Sequence, residues 1–385
     1  VCLHWGLVAV VALPVADLAA ATFNVPPDAA PASIGAGDVL NLADGGVVAD
    51  DFTATDAQVN IQGGTIGSNF SASGTTQVTL NGGTIGDSDG SSFDTWSLID
   101  TASATINGGE VLEELQHASS GPLTINGGDI RNRIRAFQGS TTVVNGGTLH
   151  QFFNINSSAT VDIAGGTFFR LNNSSSADIT LHGTDFRFNG APIAGLNTVG
   201  DTTLFNLPDT GVLSGNLADG TPFVVYEPDE IYLAGSITLQ HSAPPPSGPP
   251  VINVPTDAAP LGIRAGQHLI LDDGGALPAL FNLGRGSMLT VNGGTGAPGT
   301  EAVDATVNIH AGDSVGVTAL ENSQVNVDGG TNIGVSLAHN STATISGGHV
   351  GGLTLDSGST ARVEAGKVDT IFARTGTQIT LVGTD

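Results

Sequence analysis

One cysteine occurs in 385 residues. It is Cys2, inside an N-terminal stretch read below as a removable leader, so the mature chain is expected to hold no disulfide. That does not exclude export, because a long stacked core needs no covalent staple, unlike a small secreted domain. Basic residues are scarce as well: 10 Lys and Arg stand against 36 Asp and Glu, for a net charge of −26. So acidic a chain repels nucleic acid and anionic lipid, which removes both from the expected partners. Only 12% of residues are charged, leaving Ser, Thr and Asn to supply the polar surface. No apolar run after residue 21 approaches the roughly 20 residues of a membrane-spanning helix. Glycine is plentiful, at 55 residues, but has no Gly-X-Y period, which excludes collagen. No Gly-rich phosphate loop and no Ser/His/Asp arrangement can be assigned, and His117, His182, His310 and His349 lack metal-ligand spacing.

What the chain does have is a repeat. Val59-Asn-Ile-Gln-Gly-Gly-Thr-Ile66 returns as Val78-Thr-Leu-Asn-Gly-Gly-Thr-Ile85 and as Leu123-Thr-Ile-Asn-Gly-Gly-Asp-Ile130, and continues past residue 360. The second apolar residue of each unit serves as a marker. Ile61, Leu80, Ile106, Ile125, Val144, Ile163 and Leu181 follow at steps of 19, 26, 19, 19, 19 and 18. Val291, Ile309, Val327, Ile345, Val363 and Leu381 follow at a constant 18. A fixed period near 20 marks a repeat architecture. Within a unit the apolar period is two, which is a strand with one buried face, and the Gly pair supplies a sharp corner that needs positive φ.

A single unit cannot bury its apolar side, but a stack of units can. Ile66, Ile85, Val111, Ile130, Leu149 and Phe168 are expected to align as one column, and Leu115, Ile134 and Phe153 as another, about 4.8 Å apart per rung. Asn81, Asn107, Asn126 and Asn145 fall together at the corner and predict a hydrogen-bonded amide ladder. Paired glycines and β-branched runs argue against helix. The expected fold is therefore all-β: two tandem parallel β-solenoids, right-handed, with 18–19 residues per coil and two or three sheets. These strings resemble the repeats of bacterial secreted β-helix proteins of the pectate-lyase-like and autotransporter-adhesin-like kind, over residues 55–190 and 285–385. The resemblance implies architecture. It implies a surface, adhesive or polysaccharide-cleaving role only loosely, because no catalytic motif of that family matches position by position.

The chain reads in order as follows. Residues 1–21 resemble a secretory signal: Gly6 to Leu13 is an apolar core too short to span, and Ala19-Ala-Ala21 fits a cleavage site, although no Lys or Arg precedes the core. Residues 22–185 form solenoid copy one, opened by a lead-in expected to cap it. Residues 186–241 leave the period and read as a C-terminal β cap, and residues 242–250 as a semi-rigid Pro-rich linker. Residues 251–385 form copy two, because Phe23-Asn-Val-Pro-Pro-Asp-Ala-Ala-Pro31 returns as Ile252-Asn-Val-Pro-Thr-Asp-Ala-Ala-Pro260 at an offset of 229. By the end of the repeats the offset is 200, and the counterpart of residues 186–241 is missing, so copy two is read as truncated and the natural chain as longer.

Three surfaces stand out. The first is Ile130-Arg-Asn-Arg-Ile-Arg-Ala136, with three of the nine arginines. A shift of 19 sets Arg133 over Glu114 and Arg135 over Gln116, so Glu113, Glu114, Arg131, Arg133, Arg135, His150 and Arg170 are expected to share one outer region. Arginine as base on an acidic sugar, with carboxylates as acid or cation holder, is the chemistry such a patch offers; a ladder of cross-strand charge pairs is the structural alternative. The second is the insertion from Asp87 to Asp94, where Asp87, Asp89 and Asp94 offer oxygens to calcium but lack the distal Glu of an EF-hand. The third is the Thr column Thr65, Thr84, Thr148 and Thr167, whose ice-binding reading fails because Glu110 and Asp129 interrupt it. The expectation is a secreted or cell-surface structural or adhesive module, not an enzyme, making weak multivalent contacts to glycans or other surface proteins. The alternatives are a polysaccharide lyase or hydrolase using the Arg/Glu patch, and calcium-dependent assembly. No cofactor is expected, with calcium the one ion considered.

Overall fold

The computed structural model describes residues 20–87, 94–173, 176–206, 211–226, 236–296, 299–313, 315–331, 333–356 and 358–382. The expected signal segment lies outside the described residues except for Ala20 and Ala21, as does Asp89. Every regular element among the described residues is a β-strand, and the strands stack as a parallel β-solenoid.

The marker residues do form a continuous column. Ile61, Leu80, Ile106, Ile125, Val144, Ile163 and Leu181 sit in register, rung on rung, and each is at most 1% exposed. The column starts earlier than the repeat suggests: Val25 pairs with Leu42, and Leu42 with Ile61. The lead-in expected to cap the stack is therefore built as its first coils. In the second half Val254 and Leu271 likewise precede Val291, and the column runs on through Ile309, Val327, Ile345 and Val363 to Leu381. Strands to residue 241 join one 25-stranded sheet system, while those from Val251 onward form sheets of eight and seven strands. A separate apolar core lies on each side of the Pro-rich stretch.

Two further inward columns close the first core. Val48, Ile66, Ile85, Val111, Ile130, Leu149 and Phe168 stack in register. Trp96, Leu115, Ile134, Phe153 and Leu171 form the other, capped by the stacked rings of Phe52, Phe70 and Trp96 at 5.5 and 5.9 Å. Aromatic stacking adds about 0.5–1.5 kcal/mol per pair to the area buried. His117 also points inward, between Leu98 and Ala136. Its ring is satisfied by Thr142 Oγ1 at 3.0 Å and the Gly121 carbonyl at 2.8 Å, and burial pushes its pKa down, which keeps it neutral.

The Gly pair is required twice over. Gly83 has φ of +83°, and a Cβ there would lie 2.5 Å from the Gly64 carbonyl oxygen of the rung before. A Cβ on Gly82 would lie 2.8 Å from the Gln62 carbonyl oxygen. Successive corners nest too closely for any side chain. Beside the corner the amide ladder is complete: Asn107 donates to Asn81 at 2.8 Å, Asn126 to Asn107 at 2.8 Å and Asn145 to Asn126 at 2.9 Å. A second ladder, on the strand itself, runs from Asn60 to Asn41 and from Asn41 to Asn24, each at 2.9 Å.

Past Leu181 the geometry changes. Ile237–His241 adds one more parallel rung, with Leu239 over Leu181. Thr202–Phe205 then pairs with that rung antiparallel, and Val212–Leu217 pairs antiparallel with both Asp178–Phe188 and Pro222–Tyr226. The antiparallel strands occupy the sheet edge that a further parallel coil would otherwise use. The Pro-rich stretch is pinned: the Arg264 guanidinium donates to the Pro246 carbonyl, and Gln267 Nε2 to the Pro249 carbonyl at 3.1 Å.

Candidate functional site

Each arginine of the strand expected to carry chemistry meets an acid of a neighbouring coil. Glu110 and Asp129 are register neighbours on adjacent rungs, where like charges repel. Arg131 Nη2 lies 3.0 Å from Glu110 Oε1 and 2.7 Å from Asp129 Oδ2, and His150 closes on the same Asp129. Arg131 thus bridges the two acids that break the Thr column, and His150 meets one of them.

Glu114 is the second focus. It is 4% exposed, and both carboxylate oxygens are engaged. Arg133 Nε lies 2.7 Å from Oε2, while Arg135 Nε at 3.1 Å and Gln116 Nε2 at 2.9 Å address Oε1. Arg135 stands directly opposite Gln116 in the register. With Arg133, Arg135 and Gln116 against its two oxygens, Glu114 has no open oxygen to offer a cation.

Glu113 departs from the expected patch. It adjoins Glu114 in sequence, yet its carboxylate is turned to a different environment: it passes over Gly86 and accepts the backbone N–H groups of Asn69, at 3.0 Å, and Phe70. The residue is 2% exposed, and Oε1 has no hydrogen-bond partner among the described residues. Burial first, and then the charges of Asp94 and Asp87, push its pKa up to about 7. The expected patch therefore divides into an Arg131–Asp129–His150 group, an Arg133–Glu114–Arg135 group, a separate buried acid in Glu113, and Arg170, which lies on the rings of Phe152 and Phe169. Asp87 and Asp94 flank the part of the insertion that is not described. Among the described residues no three His, Cys, Asp or Glu side chains come together as a metal site. Three further histidines singled out in the sequence pair with acids: His182 with Asp162, His310 with Asp328, and His349 with Asp369.

A different constellation lies where the C-terminal β module of the first half meets the second half. Val212 and Val224 pack on Val303 and Leu320, and Asn282 Nδ2 donates to the Pro222 carbonyl at 3.1 Å. Beside this seam a cleft of about 230 Å³ is walled by Phe169, Arg170, Val224, Tyr226, Glu301 and Thr318. The Tyr226 hydroxyl donates to Glu301 and accepts from Thr318. Glu301 lines the cleft, and burial pushes its pKa up to about 8 against the opposing charge of Arg170. Residues from three well-separated stretches meet here, and sequence spacing carries no signal of it.

Compared with known families and curated proteins, the sequence matches no family model and no individual protein. The parallel β-solenoid itself is what the structure establishes.

Proposed function

We propose that the protein is a secreted or cell-surface scaffold, structural or adhesive, built from two related solenoids that present long uncharged polar faces. The reading rests on one observation: the three arginines of the Ile130–Ala136 stretch are spent on acids of the stack, with both oxygens of Glu114 engaged by Arg133, Arg135 and Gln116. The outward rows that remain are amides and hydroxyls repeated at the rung spacing, such as Asn24, Asn41 and Asn60. Such rows suit many weak contacts to a repeating partner, a glycan or another surface protein. Stability shared coil by coil leaves no single residue indispensable.

The test is a binding and turnover screen of the full chain against acidic and neutral polysaccharides, with and without calcium, beside Arg133→Ala. Binding without new reducing or unsaturated ends, unchanged in the variant, is the expected result. Turnover that disappears in Arg133→Ala would overturn it in favour of a polysaccharide lyase or hydrolase. A requirement for calcium would favour cation-dependent assembly.

A further inference from the structure

Seven of the nine arginines pair with a carboxylate, and Arg264 is committed to a carbonyl. Arg170 is the exception among the described residues. Its guanidinium lies 4.9 Å from the Phe169 ring centre and 5.8 Å from that of Phe152. The two rings meet edge to face at 5.9 Å and 79°. A cation held on aromatic faces keeps its N–H edge for a ligand, and Arg170 lines the junction cleft.

The rest of the cleft is a chain of polar groups beside an apolar wall. Thr318 donates to Tyr226 and Tyr226 to Glu301, so the two hydroxyls offer a ligand their oxygen lone pairs, while Glu301, whose pKa burial raises to about 8, brings a carboxyl O–H. Phe169, 39% exposed, and Val224 supply the apolar side. A guanidinium, one carboxyl O–H and two accepting hydroxyls call for a ligand with one negative charge and hydroxyls of its own. The volume, about 230 Å³, is below the roughly 300–1,000 Å³ of drug-sized sites, so one ring fits and a threaded polymer does not. The net charge of −26 also opposes a polyanion, whereas a single carboxylate beside Arg170 is tolerated.

We propose that this cleft binds the terminal uronic acid of a glycan, its carboxylate on Arg170, its hydroxyls at Tyr226, Thr318 and Glu301, and its C–H face on Phe169 and Val224. The proposal deepens the adhesive reading above, adding one specific subsite to the weak contacts of the solenoid faces.

Methyl glucuronide and methyl glucoside differ in the carboxylate alone, and both are titrated into the full chain by calorimetry or ligand-observed NMR. The glucuronide is expected to bind at least tenfold tighter than the glucoside. Arg170→Gln is expected to remove that preference, and Tyr226→Phe to weaken binding several-fold. Thermal unfolding of each variant, together with Arg133→Ala, which leaves binding unchanged, separates loss of the site from loss of the fold. Equal binding of the two sugars, or a preference that survives in folded Arg170→Gln, overturns the subsite. In that case polysaccharide binding by the full chain still measures the adhesive reading separately.

Discussion

The Asn126 amide nitrogen lies 2.8 Å from the Asn107 side-chain oxygen, one coil earlier. Asn126 also accepts from Asn145 at 2.9 Å, so it sits inside the ladder, whereas among the described residues Asn81 has one ladder bond, accepted from Asn107. Asn126→Ala is expected to lose about 1–2 kcal/mol, and Asn81→Ala about half of that. Urea unfolding of the two variants side by side checks the ratio.

Corner glycines differ in what they forbid. Gly45 has φ of +77° with nothing near a Cβ, while Gly83 has φ of +83° and the Gly64 carbonyl oxygen at 2.5 Å. Gly45→Ala is expected to cost the left-handed conformation alone, about 1–2 kcal/mol. Gly83→Ala must also move the preceding rung, and is expected to cost clearly more. Equal unfolding midpoints for the two would refute the nested-corner account.

Glu113 makes stability depend on pH. Its folded pKa, about 7, is above the ordinary value of 4.5, so the folded state holds the proton longer. Stability is then highest below about 4.5 and falls as pH rises to about 7, by on the order of 2–3 kcal/mol. Glu113→Gln, which mimics the neutral acid, is expected to flatten that segment and to be more stable than the parent at pH 8. Urea midpoints at pH 4, 6 and 8 decide it; a slope that persists in the variant places its origin elsewhere.

Glu114 shares two guanidiniums. Removing Arg133 leaves Arg135 at 3.1 Å, so Arg133→Ala is expected to cost about 1 kcal/mol. Removing both strands a buried carboxylate, which costs about 3 kcal/mol or more. The double variant should exceed the sum of the singles in a double-mutant cycle. Simple additivity would mean that the two arginines act independently.

The stack was legible because its causes are local. Alternation at Val59 and Ile61, the Gly63-Gly64 pair and a steady step place Ile66 to Phe168 in one column without any knowledge of the fold. A shift of 19 was enough to bring Arg133 to Glu114. The first coils were harder to see, since Val25 precedes Leu42 by 17 residues and Pro26-Pro27 interrupts the pattern. Glu113 was misplaced because a coil turns at that point, and a uniform strand pattern carries no information about which side a corner residue enters. Arg170, Tyr226 and Glu301 could not be associated at all, because they meet only where two separately stacked bodies touch.

The amide ladders share one sense. Asn41 gives to Asn24, Asn60 to Asn41, Asn126 to Asn107, Asn172 to Asn154 and Asn326 to Asn308. The later residue always donates and the earlier one accepts, which gives the stack a one-way grain. A side chain that can only accept belongs at the upstream head of a row, and Asp272 stands there, receiving from Asn292 at 3.0 Å. Where an acid follows later in a row, as Asp328 does, the residue before it is His310, which can turn a donor downstream at 2.9 Å. Grain therefore sets which rungs of this acidic chain admit a carboxylate and which admit only an amide.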